Sequence, residues 1–296
     1  MSRRWWLVNR SCRIIAGVLI LSAFMACFLA ESTRATSPTV NMAGTDDSLF
    51  AQTAARILKR EFSAPEISYL LLDIRSRTIV AKQWENERTA IPVGSLVKPF
   101  TAIAYARSHS FRFPAFVCAP GACWYPRGHG RLGIVKAVAV SCNAYFGQLA
   151  SELSAEQVRF VANTFGLNGP PDGASAGALA GERGVWRESP EALAKAYAEL
   201  IGSRGQPGIR EIVEGMLESA RSGTASGLAK EASQVTALAK TGTAPCTHRK
   251  RAPGDGFVVV AWPGDSPQYL LLVRYHGNPG AHAAELAGRM LHALQP

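Results

Sequence analysis

Apolar and polar positions change period several times along the chain, and each change marks an element. Over residues 49–62 apolar positions recur every three to four residues, which predicts an amphipathic helix. SYLLLDIRSRTIVAKQW follows, two apolar runs split by Arg75-Ser76-Arg77, and predicts a β-hairpin with strands near 69–74 and 78–83. In IPVGSLVKPFTAIAY, Pro92 and Gly94 break what precedes; Leu96, Val97, Phe100, Ile103 and Ala104 then fit a buried helix with Ser95 at its N-terminus. Residues 111–133 carry no period and are rich in Pro, Gly and aromatics, which predicts a long loop of the kind that usually carries function. Helices are predicted over 134–153, interrupted around Ser141, and over 155–165; after a glycine-rich passage from 166 to 184 they resume over 190–201 and 209–220. The end reads as strands at 235–243, 257–262 and 269–275, the last two joined through Pro263-Gly264-Asp265-Ser266, and a closing helix over 281–294. Strands therefore sit at both ends with helices between. The simplest closure is an α+β fold in which the first hairpin joins the C-terminal strands in one mostly antiparallel sheet flanked by helices.

The first residues do not belong to that domain. Arg3, Arg4, Arg10 and Arg13 precede an uncharged, mostly apolar run from 14 to 30, which is the pattern of an export signal. The run is 17 residues, long for a signal-peptide core and short for a spanning helix, so cleavage and membrane anchoring both stand. Thr33-Arg34-Ala35 is the nearest approach to a cleavage site, and the context of Cys27 only loosely resembles a lipoprotein box. Either way the Arg-rich flank holds the N-terminus inside and sends the rest out. The expected organisation is a signal or anchor at 1–35, a Ser/Thr/Pro-rich linker at 36–48 and one catalytic domain at 49–296, exported to the periplasm or the outer face of the cytoplasmic membrane.

The chain has 296 residues and a formal charge of +10, and five arginines against one glutamate in the leader account for four of those charges. The exported part suits an anionic wall polymer or lipid headgroups; no nucleic-acid motif is present. Cys118, Cys123, Cys142 and Cys246 would face an oxidising compartment. Cys118-Ala-Pro-Gly-Ala-Cys123 encloses a turn that suits a small disulfide loop, and that disulfide is the expectation, beside free thiols. A zinc site with His129 is the rival reading, but a second ligand pair at usual spacing is missing, so no metal and no cofactor are expected. His129, between two glycines, reads as a turn residue packed near Ser141, and Trp124 as a core residue.

Candidate chemistry starts at Ser95. Lys98 lies three residues on, one face of a helix with it, and a buried lysine with a lowered pKa is a base for a serine nucleophile. Ser-x-x-Lys alone is weak, since roughly one is expected by chance in such a chain. Ser141-Cys142-Asn143 follows 46 residues after Ser95, and Lys240-Thr241-Gly242-Thr243 ends a predicted strand 97 residues after Asn143. Two amines facing one pocket depress each other's pKa. A glycine in a strand end lets a substrate lie alongside as an extra strand.

Those three motifs in order are the signature of the serine β-lactamases and penicillin-binding proteins. From residue 69 to the C-terminus the chain resembles the transpeptidase domain of penicillin-binding proteins: GSLVKPFTA is similar to their nucleophile segment, GHG with SCNAYF to the second, KTGTA to the third, with SPEALAKAYAELI and SGTASG in further agreement. The resemblance implies a β-lactamase/transpeptidase-like fold with an inserted all-helical subdomain. It implies an acyl-serine D,D-transpeptidase or carboxypeptidase that acts on peptidoglycan stem peptides and binds penicillin covalently. Catalytic roles then fall to Ser95, Lys98, Ser141, Asn143 and Lys240, and substrate binding to Thr241, Gly242 and Thr243, with the N–H groups of Ser95 and Thr243 as oxyanion hole. Partners would be the stem peptide, β-lactam antibiotics and a glycosyltransferase or other cell-wall protein. Leu96 departs from the usual threonine, and neither a glycosyltransferase domain nor a non-catalytic N-terminal domain is expected: a minimal, stand-alone form. The alternatives are a serine β-lactamase and a penicillin sensor that does not turn over. Glu182 and Glu188 are the nearby candidates for a class A water-activating glutamate, without the expected surrounding pattern; the class D triplets are absent.

Overall fold

The computed structural model describes residues 42–246 and 254–295, with side chains from residue 49 on. The leader and the basic run at 248–251 lie outside the described residues. Among the described residues no helix is long and apolar enough to cross a membrane.

In chain order the elements are α1 (Met42–Glu61), β1 (Ile67–Asp73), β2 (Ile79–Gln83), β3 (Ile91–Pro92), a 3₁₀ turn over Gly94–Val97, and α2 (Lys98–Ser108). Then come β4 (Phe116–Cys118), β5 (Gly130–Leu132), α3 (Ile134–Ala139), α4 (Asn143–Ser151), α5 (Ala155–Thr164), α6 (Ala176–Leu179) and a short 3₁₀ turn at Glu182–Gly184. The last are β6 (Arg187–Glu188), α7 (Pro190–Gly202), α8 (Ile209–Ser222), α9 (Gly227–Glu231), β7 (Leu238–Ala244), β8 (Asp255–Trp262), β9 (Tyr269–Tyr275) and α10 (Gly280–Ala293).

The central sheet has five strands ordered β2-β1-β9-β8-β7, every neighbouring pair antiparallel, so the N-terminal hairpin does join the C-terminal strands. Side chains alternate across a strand. In β8, Phe257, Val259 and Ala261 therefore enter one core with Leu70, Leu72, Leu270 and Leu272, while Val258 and Val260 enter another with Tyr69, Leu71, Leu271 and Val273. Both faces are buried, which is why these strands read as apolar runs without alternation. Leu58 of α1 and Ala287 and Met290 of α10 cover one face; Phe100 of α2, Tyr145 and Phe146 of α4 and Tyr197 of α7 belong to the core on the other. Each fully buried Val, Leu, Ile or Phe contributes about 1.5–3 kcal/mol.

Helix starts follow local chemistry. Ser154 caps α5 in a reciprocal box with Gln157, and Ser189 accepts from the Ala192 N–H ahead of Pro190 in α7. Three expectations change. Residues 42–48 of the expected linker are helical, the start of α1. The long loop holds the β4–β5 ribbon, and β3 pairs with β6, so the helical insertion is not all-helical. The five-residue α9 was too short to show a period.

Helix α2 lies deepest, with Lys98 through Ala106 all buried. Tyr197 of α7 donates its hydroxyl to the Leu96 carbonyl at 2.8 Å, pinning the turn ahead of it. Across from that turn runs the edge strand β7. A Cβ on Gly242 would stand 2.9 Å from the Val93 carbonyl oxygen and 3.0 Å from Leu96 Cγ. The glycine is thus what lets strand and turn meet, and Leu96 fills the contact as a fully buried side chain. Gly242→Ala should lower unfolding stability by about 1–3 kcal/mol. Gly147→Ala, in α4 with no atom within 4 Å of the added carbon, should raise it by about 0.4–1 kcal/mol. Denaturant titration of both variants checks this; a Gly242→Ala protein as stable as wild type contradicts the packing.

Candidate active site

Ser95 is set in place by glycines. Gly94 has φ +57, and a side chain there would stand 2.2 Å from the Thr243 carbonyl oxygen, so only glycine allows the turn to close on β7. Behind it, Gly181 at φ +85 makes the same kind of approach to the Gly94 carbonyl. Ser95 is left half-buried on the wall of a cavity of about 500 Å³ that Ser141, Asn143, Thr241 and Thr243 also line. Its hydroxyl has no hydrogen-bond partner among the described residues. Its backbone N–H lies in the first, unpaired turn before α2.

Lys98, one turn on, has no exposed surface. Its Nζ lies 2.6 Å from Asn143 Oδ1, 2.9 Å from the Ser141 carbonyl oxygen and 3.3 Å from Ser141 Oγ. Lys240, also fully buried, reaches the same Ser141 hydroxyl at 2.8 Å and the Thr241 carbonyl at 2.7 Å. Ser141 thus joins the two amines. It sits between α3 and α4 at φ +51, a left-handed conformation uncommon outside glycine and stored here at the centre of the site. Burial lowers the Lys98 pKa from its ordinary value to about 8, against an upward pull from Cys123, Cys142 and Glu182. Burial and the Lys98 charge hold Lys240 well below the ordinary lysine value. A neutral Lys98 amine has two N–H groups for Asn143 and the Ser141 carbonyl and one lone pair left over.

On β7 the period of two separates the third motif into two faces. Lys240 and Gly242 point to the α2 side. The Thr241 hydroxyl is 2.6 Å from that of Thr224, and Thr243 Oγ1 accepts from the Gly280 N–H at 3.0 Å, leaving its own proton free. Thr224, in the SGTASG segment, is a site neighbour to which sequence reasoning gave no role. The Thr243 carbonyl faces Gly94, away from β8, and in an antiparallel strand a residue's N–H and C=O leave on the same side. The Thr243 N–H is therefore directed toward the turn that carries Ser95.

Carboxylates are scarce around the cavity. Glu285 lines it, 3.3 Å from Lys230. Glu188 is fully buried and accepts from Trp186 Nε1 and the N–H groups of Asn168 and Gly169, so it holds a loop together. Glu182 is exposed and does not line the cavity.

In the loop between β4 and β5, Cys118 and Cys123 are not bonded to one another; Cys118 Sγ is 3.6 Å from His129 Nδ1, and Cys123 Sγ accepts the Asn143 N–H at 3.2 Å. Cys142 comes to the same place, and the ligand atoms of Cys118, Cys123, His129 and Cys142 lie within 4.8 Å of one another, a set able to hold a metal. Cys246 stands apart, beside Asp255. Trp124 is not core but 54% exposed, and it lines the cavity mouth. His129 packs near the second motif, as its flanking glycines suggested.

Comparison with known proteins gives a one-sided result. No family model and no curated protein matches the chain. Solved structures do. Penicillin-binding protein 2 from Helicobacter pylori superposes with a TM-score of 0.68 at 16% identity over 82% of this chain and 62% of its own. The D,D-transpeptidase domain of a peptidoglycan glycosyltransferase from Eggerthella lenta gives 0.65 at 16% identity over 82% and 80%. A chain of a peptidoglycan synthase complex that coordinates polymerization and crosslinking gives 0.64 at 18% over 84% and 60%, so this chain spans under two thirds of some of these structures. At such identities the likeness is one of architecture, and on that ground the chain has the fold of the penicillin-binding protein transpeptidase domains.

Proposed function

We propose that this protein is an acyl-serine D,D-transpeptidase or carboxypeptidase that acts on peptidoglycan stem peptides outside the cytoplasmic membrane and is acylated by penicillins. The observation that carries the reading is the convergence of two fully buried lysines on the Ser141 hydroxyl, beside a free serine at the start of a buried helix. The fold of the solved neighbours supports it.

In the reaction, Ser95 Oγ attacks the carbonyl of the penultimate D-alanine or the lactam, and its proton passes to the Lys98 lone pair. The oxyanion is held by the N–H groups of Ser95 and Thr243. The C–N bond then breaks, and Ser141 gives its proton to the departing amine while Lys98 restores it, leaving an ester on Ser95. Lys240 supplies positive potential, Asn143 fixes Lys98, and the free Thr243 proton with Thr241 addresses the substrate carboxylate. An amine or water completes the cycle. Acylation needs only these groups. Rapid hydrolysis of a penicillin ester needs in addition a carboxylate that activates water, and Glu285 beside Lys230 and the buried Glu188 are engaged elsewhere.

Incubation with a fluorescent penicillin should therefore label the protein, with the added mass on the GSLVK peptide at Ser95 and the adduct persisting for many minutes. An adduct elsewhere or none at all rejects the proposal; fast consumption of penicillin without adduct makes the protein a β-lactamase.

The lysine pair gives acylation a pH dependence of definite sign. A base whose pKa is lowered to about 8 becomes available as pH rises through that value, so acylation should climb about tenfold per unit below it and level off above. Lys98→Arg should lose at least about 100-fold at every pH, because a guanidinium keeps its proton. Stopped-flow acylation between pH 6 and pH 10 reads both; a flat profile, or an active arginine variant, removes Lys98 as the base.

A further inference from the structure

We propose that Cys118, Cys123, His129 and Cys142 together bind one zinc ion, which fastens the β4–β5 loop to the turn that carries Ser141 and Asn143. Three sulfurs and one imidazole nitrogen lie within 4.8 Å of one another, from three separate parts of the chain. Zinc–sulfur bonds of about 2.3 Å in a tetrahedron set sulfurs about 3.8 Å apart, so a contraction of about 1 Å closes the shell. Three cysteines and one histidine make a closed structural set for zinc, with no position left for substrate.

The surroundings suit a staple. The loop's regular structure is a ribbon of three residues per strand, too small to be stable alone, and Val117, Trp124 and Tyr125 are exposed, the two rings resting on His129. Gly128, at φ +68 and within 2.4 Å (from its would-be Cβ) of the Cys118 carbonyl, folds the loop back so that His129 meets Cys118. Cys118 and Cys142 are almost wholly buried, and Cys142 stands at the N-cap of the nine-residue α4. Cys123 already takes the Asn143 N–H, the kind of outer contact that orients a metal-bound sulfur. Binding is balanced: Zn²⁺ displaces three thiol protons to solvent and leaves a site of net charge −1.

The ligand next to two reacting residues gives the ion its consequence. Cys142 is bracketed by Ser141 and Asn143, so a tethered Cys142 holds the left-handed Ser141 turn and the Asn143 contact to Lys98 at once. The metal touches no substrate; it positions the residues that do.

The test uses the full chain, purified without chelator from the exported compartment. Elemental analysis and native mass spectrometry should find about one zinc per chain, falling below about a tenth in Cys118→Ser and in His129→Ala. Cobalt exchanged into the wild type should show intense thiolate-to-cobalt charge transfer, which does not depend on activity or on any variant folding. Zinc content unchanged by the substitutions, cobalt bound without that band, or a Cys118–Cys123 disulfide in a metal-free native protein would each overturn the site. None of these readouts depends on Ser95 acylation, so the zinc site and the proposed reaction stand or fall separately.

Discussion

Two ammonium groups cannot stay charged together in a dry pocket around one hydroxyl. Each buried ion costs several kcal/mol in lost hydration, and their mutual repulsion is little screened there. The fold meets the constraint by giving Lys98 three oxygens and Lys240 two, and burial lowers the pKa of both amines. A structural salt bridge would not need this arrangement. It leaves a lone pair one helical turn from a serine with an unengaged hydroxyl, so the same burial that penalises the charge favours the neutral amine that the proposed reaction uses as base.

Holding that pocket dry requires backbone from four segments to meet without side chains between them. Gly94, Gly181, Gly242 and Gly280 do this: a Cβ on each would stand between 2.2 and 2.9 Å from a backbone oxygen of the next segment. The rigid platform underneath is a sheet buried on both faces, with the deeply buried α2 on one of them. β7 is the edge strand of that sheet, and its Thr241, Gly242 and Thr243 line the cavity with Ser95.

Much of this was legible. The apolar runs at the two ends of the domain foretold the antiparallel sheet, because strands buried on both faces show themselves by composition, and the helices at 190–201 and 209–220 by their period. The convergence of Lys98, Ser141, Asn143 and Lys240 beside Ser95 was legible because three motifs in order carried them. Cys142 was read only as the middle of a triplet; its neighbours Cys118, Cys123 and His129 arrive through a loop without period, and no local spacing announces a ligand 13 residues past His129. Trp124 misled because an aromatic at a cavity mouth and one in a core look alike in sequence. Gly242 has a packing role that its motif did not show: it makes room for Val93 and Leu96.

The lysine pair is measured most directly by following the side-chain ¹⁵Nζ resonances of labelled protein as pH is raised, in the wild type and in Lys98→Ala. The account predicts that Lys98 titrates near pH 8 instead of near its ordinary value, and that Lys240 moves upward when Lys98 is removed. Two lysines that both keep their protons to pH 10, unmoved by the substitution, would contradict it.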